Sequence, residues 1–139
     1  MLRKILFGGE TGLSYAANAG VTLLRIFAGI ALAFGHGYGK LPPSEGFVNN
    51  VGNMGFPAPA FFSWAAGFSE FFGGIFLALG FLTRISSFFI ACVMVTALLG
   101  VHINDPFNNQ EKAFLFLFVA LAFLLKGAAD WSIDSYLRR

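Results

Sequence analysis

Four apolar stretches divide the chain, and the polar segments between them differ in character. A helix needs about 20 apolar residues to cross a bilayer core of roughly 30 Å. The stretches reach that scale at about residues 16–36, 58–82, 84–102 and 110–127. The second contains one acid, Glu70, and the third is built on ISSFFIACVMVTALLGV, which contains no charge. The fourth rests on the short core AFLFLFVALAFLL, which Lys112 and Lys126 can extend by snorkelling from its two ends. Between the first two stretches lies GYGKLPPSEGFVNNVGNMGFPAP, rich in Gly, Pro and Asn, so no regular helix is expected there. The turn around GFLTR is short and predicts a tight helical hairpin, and the polar HINDPFNNQEK carries a helix stop before Pro106. The pattern predicts an all-α polytopic membrane protein: one domain, 1–139, folded as a four-helix transmembrane bundle.

Composition agrees with that solvent. The chain is 57% hydrophobic and 12% charged, against about 25% charged residues in a soluble domain. It has too few polar side chains to cover a water-facing surface, and its lipid contacts fall to residues such as the 19 Phe. A formal net charge of +2, without a basic cluster interleaved with aromatics, excludes nucleic acid as a partner class. One cysteine, Cys92, leaves no internal disulfide and no CxxC motif, and reads as a packing residue. The opening MLRKILFGGETG is basic and then briefly apolar, too short for a secretory core, and reads as a retained cytoplasmic or interfacial segment. Trp131 and Tyr136 in the tail fit an interfacial aromatic belt. Arg3, Lys4, Arg84, Lys126, Arg138 and Arg139 fall on one side of the bundle, Lys40 and Lys112 on the other. The positive-inside rule then makes both termini cytoplasmic (N-in/C-in) and turns the long first loop outward.

Two charges lie inside the spans. A charge at mid-membrane is costly unless it is paired or reaches water. If His36 and Pro59 both mark the outer boundary, Arg25 and Glu70 lie at one depth, and antiparallel packing would pair them. A guanidinium meets a carboxylate with two parallel hydrogen bonds. Glu70 shares its face with Ser63, Gly67 and Gly74, and Arg25 with Ala28 and Gly29, so small residues favour close approach of the two helices. Such a pair either fixes helix register or forms a polar site that binds a head group or relays protons.

His36 follows Arg25 by eleven residues, which places it within about 20° of the same face and about 16 Å further out. His102 ends the third span on the same side. The two histidines admit a bis-His haem site, a metal site shared with Asp105 or Glu111, or interfacial hydrogen bonding with or without a quinone-like ligand. The spacing matches no metal motif, so no metal site is assigned and haem is disfavoured. GHGYGK lacks the strand–loop–helix setting of a phosphate loop.

The stretches LLRIFAGIALAFGHGYGKL, GFSEFFGGIFLALGFLTR, VHINDPFNNQEKAFLFL and KGAADWSID, in that order, resemble the DoxX family of small four-span membrane proteins. The resemblance covers about residues 20–135. It points to Arg25, His36, Lys40, Glu70, Gly80 and Arg84, and further to His102, Glu111, Ser132 and Asp134. The tail departs from the family pattern, with Ala129 where a second glycine is common and Asp130 where a basic residue is common. The resemblance implies a place near quinone chemistry. The family's name comes from a membrane subunit associated with a terminal quinol oxidase, and relatives are tied to thiosulfate:quinone oxidoreduction, thiol-redox stress or quinone detoxification.

The expectation is therefore a multi-pass subunit of a bacterial plasma (inner) membrane, associated with quinone- or thiol-linked redox chemistry. It would bind a quinone or other amphiphile, with Arg25 and Glu70 as the polar floor and His36, Lys40 and His102 at the mouth. Arg84, Glu111 and Asp134 would be structural charges. No cofactor is read apart from a quinone, and catalysis by the chain alone is not expected. Partners would be the bilayer, a redox enzyme, and further copies of the chain. The alternative is a non-catalytic binding, transport or assembly module in which the Arg25–Glu70 pair is structural.

Overall fold

A computed structural model describes residues 2–138. Arg139, one of the basic residues used for orientation, lies outside the described residues. Seven α-helices follow in order: α1 Leu2–Phe7, α2 Tyr15–Leu32, α3 Glu45–Asn53, α4 Pro59–Leu79, α5 Thr83–Thr96, α6 Phe107–Lys126 and α7 Ile133–Arg138. A π-helical turn, Ala33–Gly37, and a 3-10 turn, Tyr38–Lys40, prolong α2, and a second π-helical turn, Ala97–Val101, prolongs α5. Among the described residues, four continuous segments are long and apolar enough to cross a membrane: Tyr15–Lys40, Pro59–Leu79, Thr83–Val101 and Phe107–Lys126. They match the four expected spans, and the protein is a four-helix membrane bundle.

The helices begin and end where backbone chemistry dictates. Ser14 caps α2 by accepting from Ala17 N. Pro59 occupies the first turn of α4, where its missing N–H costs nothing. Gly80, at φ 66°, closes α4 in a left-handed turn, with Phe81 N donating to Phe76 O and Gly80 N to Leu77 O.

α2 packs on α4, α4 on α5 and α5 on α6, and α6 touches α2 to close the ring. In lipid, helices associate through close packing rather than through hydrophobic exclusion from water. Accordingly the interior is built largely from small and medium residues around Leu32, Leu77, Ile90, Met94, Ala120 and Phe123, with Ser63, Ser86 and Ser87 also buried. Large side chains such as Phe27, Phe118 and Leu125 point outward. The small-residue stripes expected on the first two spans meet as read: Gly29 of α2 lies against Gly74 of α4. A methyl group on Gly74 would stand 2.7 Å from Gly29 O and 2.9 Å from Ala33 N. Gly74→Ala is expected to cost about 1–3 kcal/mol through forced separation of α2 and α4, measured as a lower unfolding midpoint in detergent. An unchanged midpoint would show that the crossing has slack.

One expectation for the loops is corrected. The first loop contains the regular helix α3. Ser44 accepts from Phe47 N and Glu45 stands in the first turn, a standard start signal. Val51 is buried as α3 lies against α4. The segment's prolines flank this helix rather than interrupt it, and Gly52 lies against Pro59 at the start of α4.

Both chain ends and the α4–α5 turn share one end of the bundle. Arg3 Nε donates to Leu137 O at 3.0 Å, and Arg138 Nη1 donates to Gly9 O at 3.2 Å. Gly9 and Gly127 pack backbone to backbone between them.

Candidate functional site

The two buried charges do not meet each other. Gly29 and Gly74 mark the crossing of antiparallel α2 and α4, and Arg25 and Glu70 each lie four residues N-terminal to it. In antiparallel helices those steps run in opposite directions, so the charges sit on opposite sides of the crossing, roughly 12 Å apart along the axis at 1.5 Å per residue. The expected Arg25–Glu70 pair is thus replaced by two separate arrangements. Span edges were a poor measure of depth, because α2 continues through its π and 3-10 turns to Lys40.

Arg25, 2% exposed, is held at both terminal nitrogens by the C-terminal tail, while its Nε is buried without a partner. Its Nη1 donates to Ala128 O, and its Nη2 donates to Trp131 O at 2.8 Å. Gly80 leaves room for this: a Cβ there would stand 2.7 Å from Arg25 Nη1 and 2.5 Å from Ser132 Cβ. Asp134, also buried, adds an opposing charge near Arg25. Its carboxylate accepts from Leu82 N at 2.8 Å and Thr83 N at 2.9 Å, so the tail caps α5. Asp134 N donates back to Gly80 O at 2.8 Å.

The tail's departures from the family pattern have local uses. Asp130 N donates to Asn18 Oδ1 at 3.2 Å, and its carboxylate accepts from Leu13 N at 3.3 Å, which ties the entry of α2 to the tail. Ala129 stands at φ 67°, a conformation that glycine adopts without strain. Arg84 Nη2 donates to Leu125 O at 2.9 Å, joining the start of α5 to the end of α6.

Glu70, 1% exposed, pairs with Lys40, whose Nζ stands 2.6 Å from its Oε1. The π turn carries Gly37 so close to α4 that a side chain there would strike the backbone at Glu70 and Phe71. The 3-10 turn then brings Lys40 back over α4. Glu70 Oε2 is buried without a hydrogen-bond partner. Lys40 Nζ also lies over the Phe47 ring, 5.6 Å from its centroid, in a cation–π contact.

Lys40 opens onto a cavity of about 440 Å³ between α3, α4 and α5. Its walls are apolar, including Phe47, Phe62, Phe88, Phe89 and Val93, and Lys40 is the sole charged residue lining it. Phe61, Phe88, Phe89 and Val101 on its rim are exposed on membrane-spanning segments, so the opening faces lipid. Cys92 also lines it and is exposed, rather than buried in packing.

Of the three residues expected at a mouth, only Lys40 lines this cavity. His36 sits in the π turn with its ring edge-on to Phe116 of α6, 5.4 Å between centroids. The wider turn breaks the 100° count on which its shared face with Arg25 rested. His102 Nδ1 lies 2.7 Å from Asp105 Oδ2, while Gln110 donates to the His102 carbonyl oxygen at 2.7 Å. Glu111 lies on a shallow apolar groove of α6 with Phe107 and Phe114. Among the described residues no three His, Cys, Asp or Glu side chains come close enough to share a metal ion.

Comparison with known proteins adds sequence relatives. The family model described as DoxX matches residues 20–103, a window that holds both Lys40 and Glu70. A Bacillus subtilis (strain 168) protein named "Putative oxidoreductase CatD" is 30% identical over 118 residues, covering 84% of this chain and 86% of its own length. No solved structure matches the chain.

Proposed function

We propose, from the premise that this chain belongs to the DoxX family, that it binds a quinone-like amphiphile in the Lys40 cavity and serves a redox enzyme as a membrane subunit. The observation that carries this reading is the cavity itself. Apolar walls, a lipid-facing opening and one charged donor at the edge suit a ring with carbonyl oxygens and an apolar tail. Lys40 would donate to a carbonyl oxygen, and Phe47 and Phe62 would pack on the ring. Glu70 would hold the ammonium group in place. The relative's name supports a redox setting for the family. With Cys92 alone, the chain has no dithiol of its own, so electrons would pass through a partner enzyme. The basic residues at the shared end of the termini favour a cytoplasmic location for that end, in a bacterial plasma membrane.

A second reading has its own observation. The two terminal nitrogens of Arg25 donate to Ala128 and Trp131, which supports a structural role for this charge.

The test is mass spectrometry of small molecules extracted from gently purified protein. A quinone is expected with the wild type and should be absent from a folded Lys40→Met/Glu70→Gln variant. A wild type carrying no quinone, and binding none when a short-chain benzoquinone is added in nanodiscs, would end the quinone reading.

A further inference from the structure

The end of the bundle that holds both termini carries more positive charge than its own acids answer. Arg3, Lys4, Arg84, Lys126 and Arg138 stand there, against the carboxylates of Glu10, Asp130 and Asp134. Glu10 pairs with Lys126 at 3.4 Å. Asp130 accepts from Leu13 N, and the buried Asp134 holds the backbone at the start of α5. Among the described residues, Arg3, Lys4, Arg84 and Arg138 pair with no acid. The three arginines donate instead to main-chain carbonyls, those of Leu137, Leu125 and Gly9. A carbonyl accepts a hydrogen bond but carries no net charge, so each guanidinium remains an uncancelled cation. Arg3 gives Leu137 O its Nε and Nη2 protons only, which leaves Nη1 free, and the exposed Lys4 makes no hydrogen bond among the described residues.

We infer that this end is a docking surface for anionic phospholipids, centred on Arg3 and Lys4 of α1. The inference is independent of the Lys40 cavity and of which way round the chain is inserted. Two chemistries meet at this end, and a phospholipid answers both. The first is the set of cations without acids, which a phosphate group matches. The second is a rim of exposed apolar and aromatic side chains: Leu2, Ile5, Tyr15, Trp131, Ile133 and Tyr136. Tyr15 and Trp131 meet edge to face, 5.1 Å between ring centroids. Aromatic side chains of this kind sit at the level of the lipid head groups. The rim therefore holds the cations at the depth where the phosphates lie, with acyl chains beside it. A soluble acidic partner would match the cations and leave the rim unused. Phosphatidylcholine brings its own cation, so its attraction to the surface largely cancels, whereas an anionic lipid keeps its net charge. Each Lys or Arg near an acidic membrane surface raises affinity on the order of fivefold.

The experiment places the full chain in phosphatidylcholine vesicles that carry, at equal mole fraction, either phosphatidylglycerol or phosphatidylcholine brominated on the acyl chain. Bromine quenches only a tryptophan that the lipid touches, and the two tryptophans report on opposite ends. Trp131, in the tail at the basic end, is read in a Trp64→Phe variant. Trp64, in the first turns of α4 and so toward the other end, is read in a Trp131→Phe variant. Trp131 should be quenched more strongly by the anionic lipid, with a roughly three- to tenfold preference at low salt that is largely lost at about 0.5 M salt. Trp64 should show no preference. Lys4→Glu in the Trp64→Phe chain, at a side chain with no bond for the fold to lose, should cut the preference about threefold. No preference at Trp131 overturns the inference, as does an equal preference at Trp64, one that salt leaves intact, or one that Lys4→Glu leaves whole. Inorganic phosphate should displace no more phosphatidylglycerol than chloride does at matched ionic strength. Greater displacement would assign the surface to free anions and overturn the lipid reading.

Discussion

Arg25→Met is expected to destabilise the protein by on the order of 3–5 kcal/mol, the largest single effect in the chain. The side chain is buried, and both terminal nitrogens donate to tail carbonyls, Ala128 O and Trp131 O. Hydrogen bonds from charged donors contribute about 1.5–3 kcal/mol each, and their loss leaves the partners in a site with little water. Met keeps most of the stem's packing, so the change isolates the lost donors. Thermal unfolding in detergent gives the size of the effect, and limited proteolysis should show the tail released after Lys126. Arg25→Lys should recover only part of the loss, since one ammonium cannot span two carbonyls as a planar fork does. A variant with an unshifted midpoint and a protected tail would mean that the clasp contributes nothing.

Asp134→Ala should cost about 2–4 kcal/mol. The carboxylate holds two backbone N–H groups at the start of α5, those of Leu82 and Thr83, which no side chain of their own turn caps. Ala leaves both donors unpaired and also removes the charge opposing Arg25. Asp134→Asn should be milder, since its amide oxygen can still take one of the two bonds. Because Arg25 and Asp134 work on the same tail segment, the double variant should fall short of the sum of the two losses. Additive losses would show two independent anchors.

The spans were legible because length and hydropathy alone decide whether a segment can cross a bilayer. So was the shared end of the termini, and so was the small-residue contact, since Gly29 and Gly74 fall on the stripes that their spacing predicts. The partner of Arg25 was not legible. Its acceptors are main-chain carbonyls, which every residue carries, and nothing in the letters AAD distinguishes a carbonyl aimed at a guanidinium. The partner of Glu70 was hidden by the π turn at Ala33–Gly37, which shifts the positions after it and has no reliable sequence signature. Lys40 was identified as a site residue, but Glu70, which pairs with it, was assigned to Arg25. α3 did leave signals, Ser44 and Glu45, yet the surrounding Gly, Pro and Asn outweighed them.

The clasp on Arg25 also has a consequence in time. The carbonyls that accept from this arginine lie 103 and 106 residues further along the chain. A ribosome adding about 5–20 residues per second reaches them roughly 5–20 s after Arg25 itself. Throughout that interval the first span carries a charge with no tail to hold it. During synthesis water or the insertion machinery must serve in place of the tail, and the first span can settle at its final depth only when the last residues have left the ribosome. A chain that stops short of Ala128 would keep an unanswered arginine within its first span.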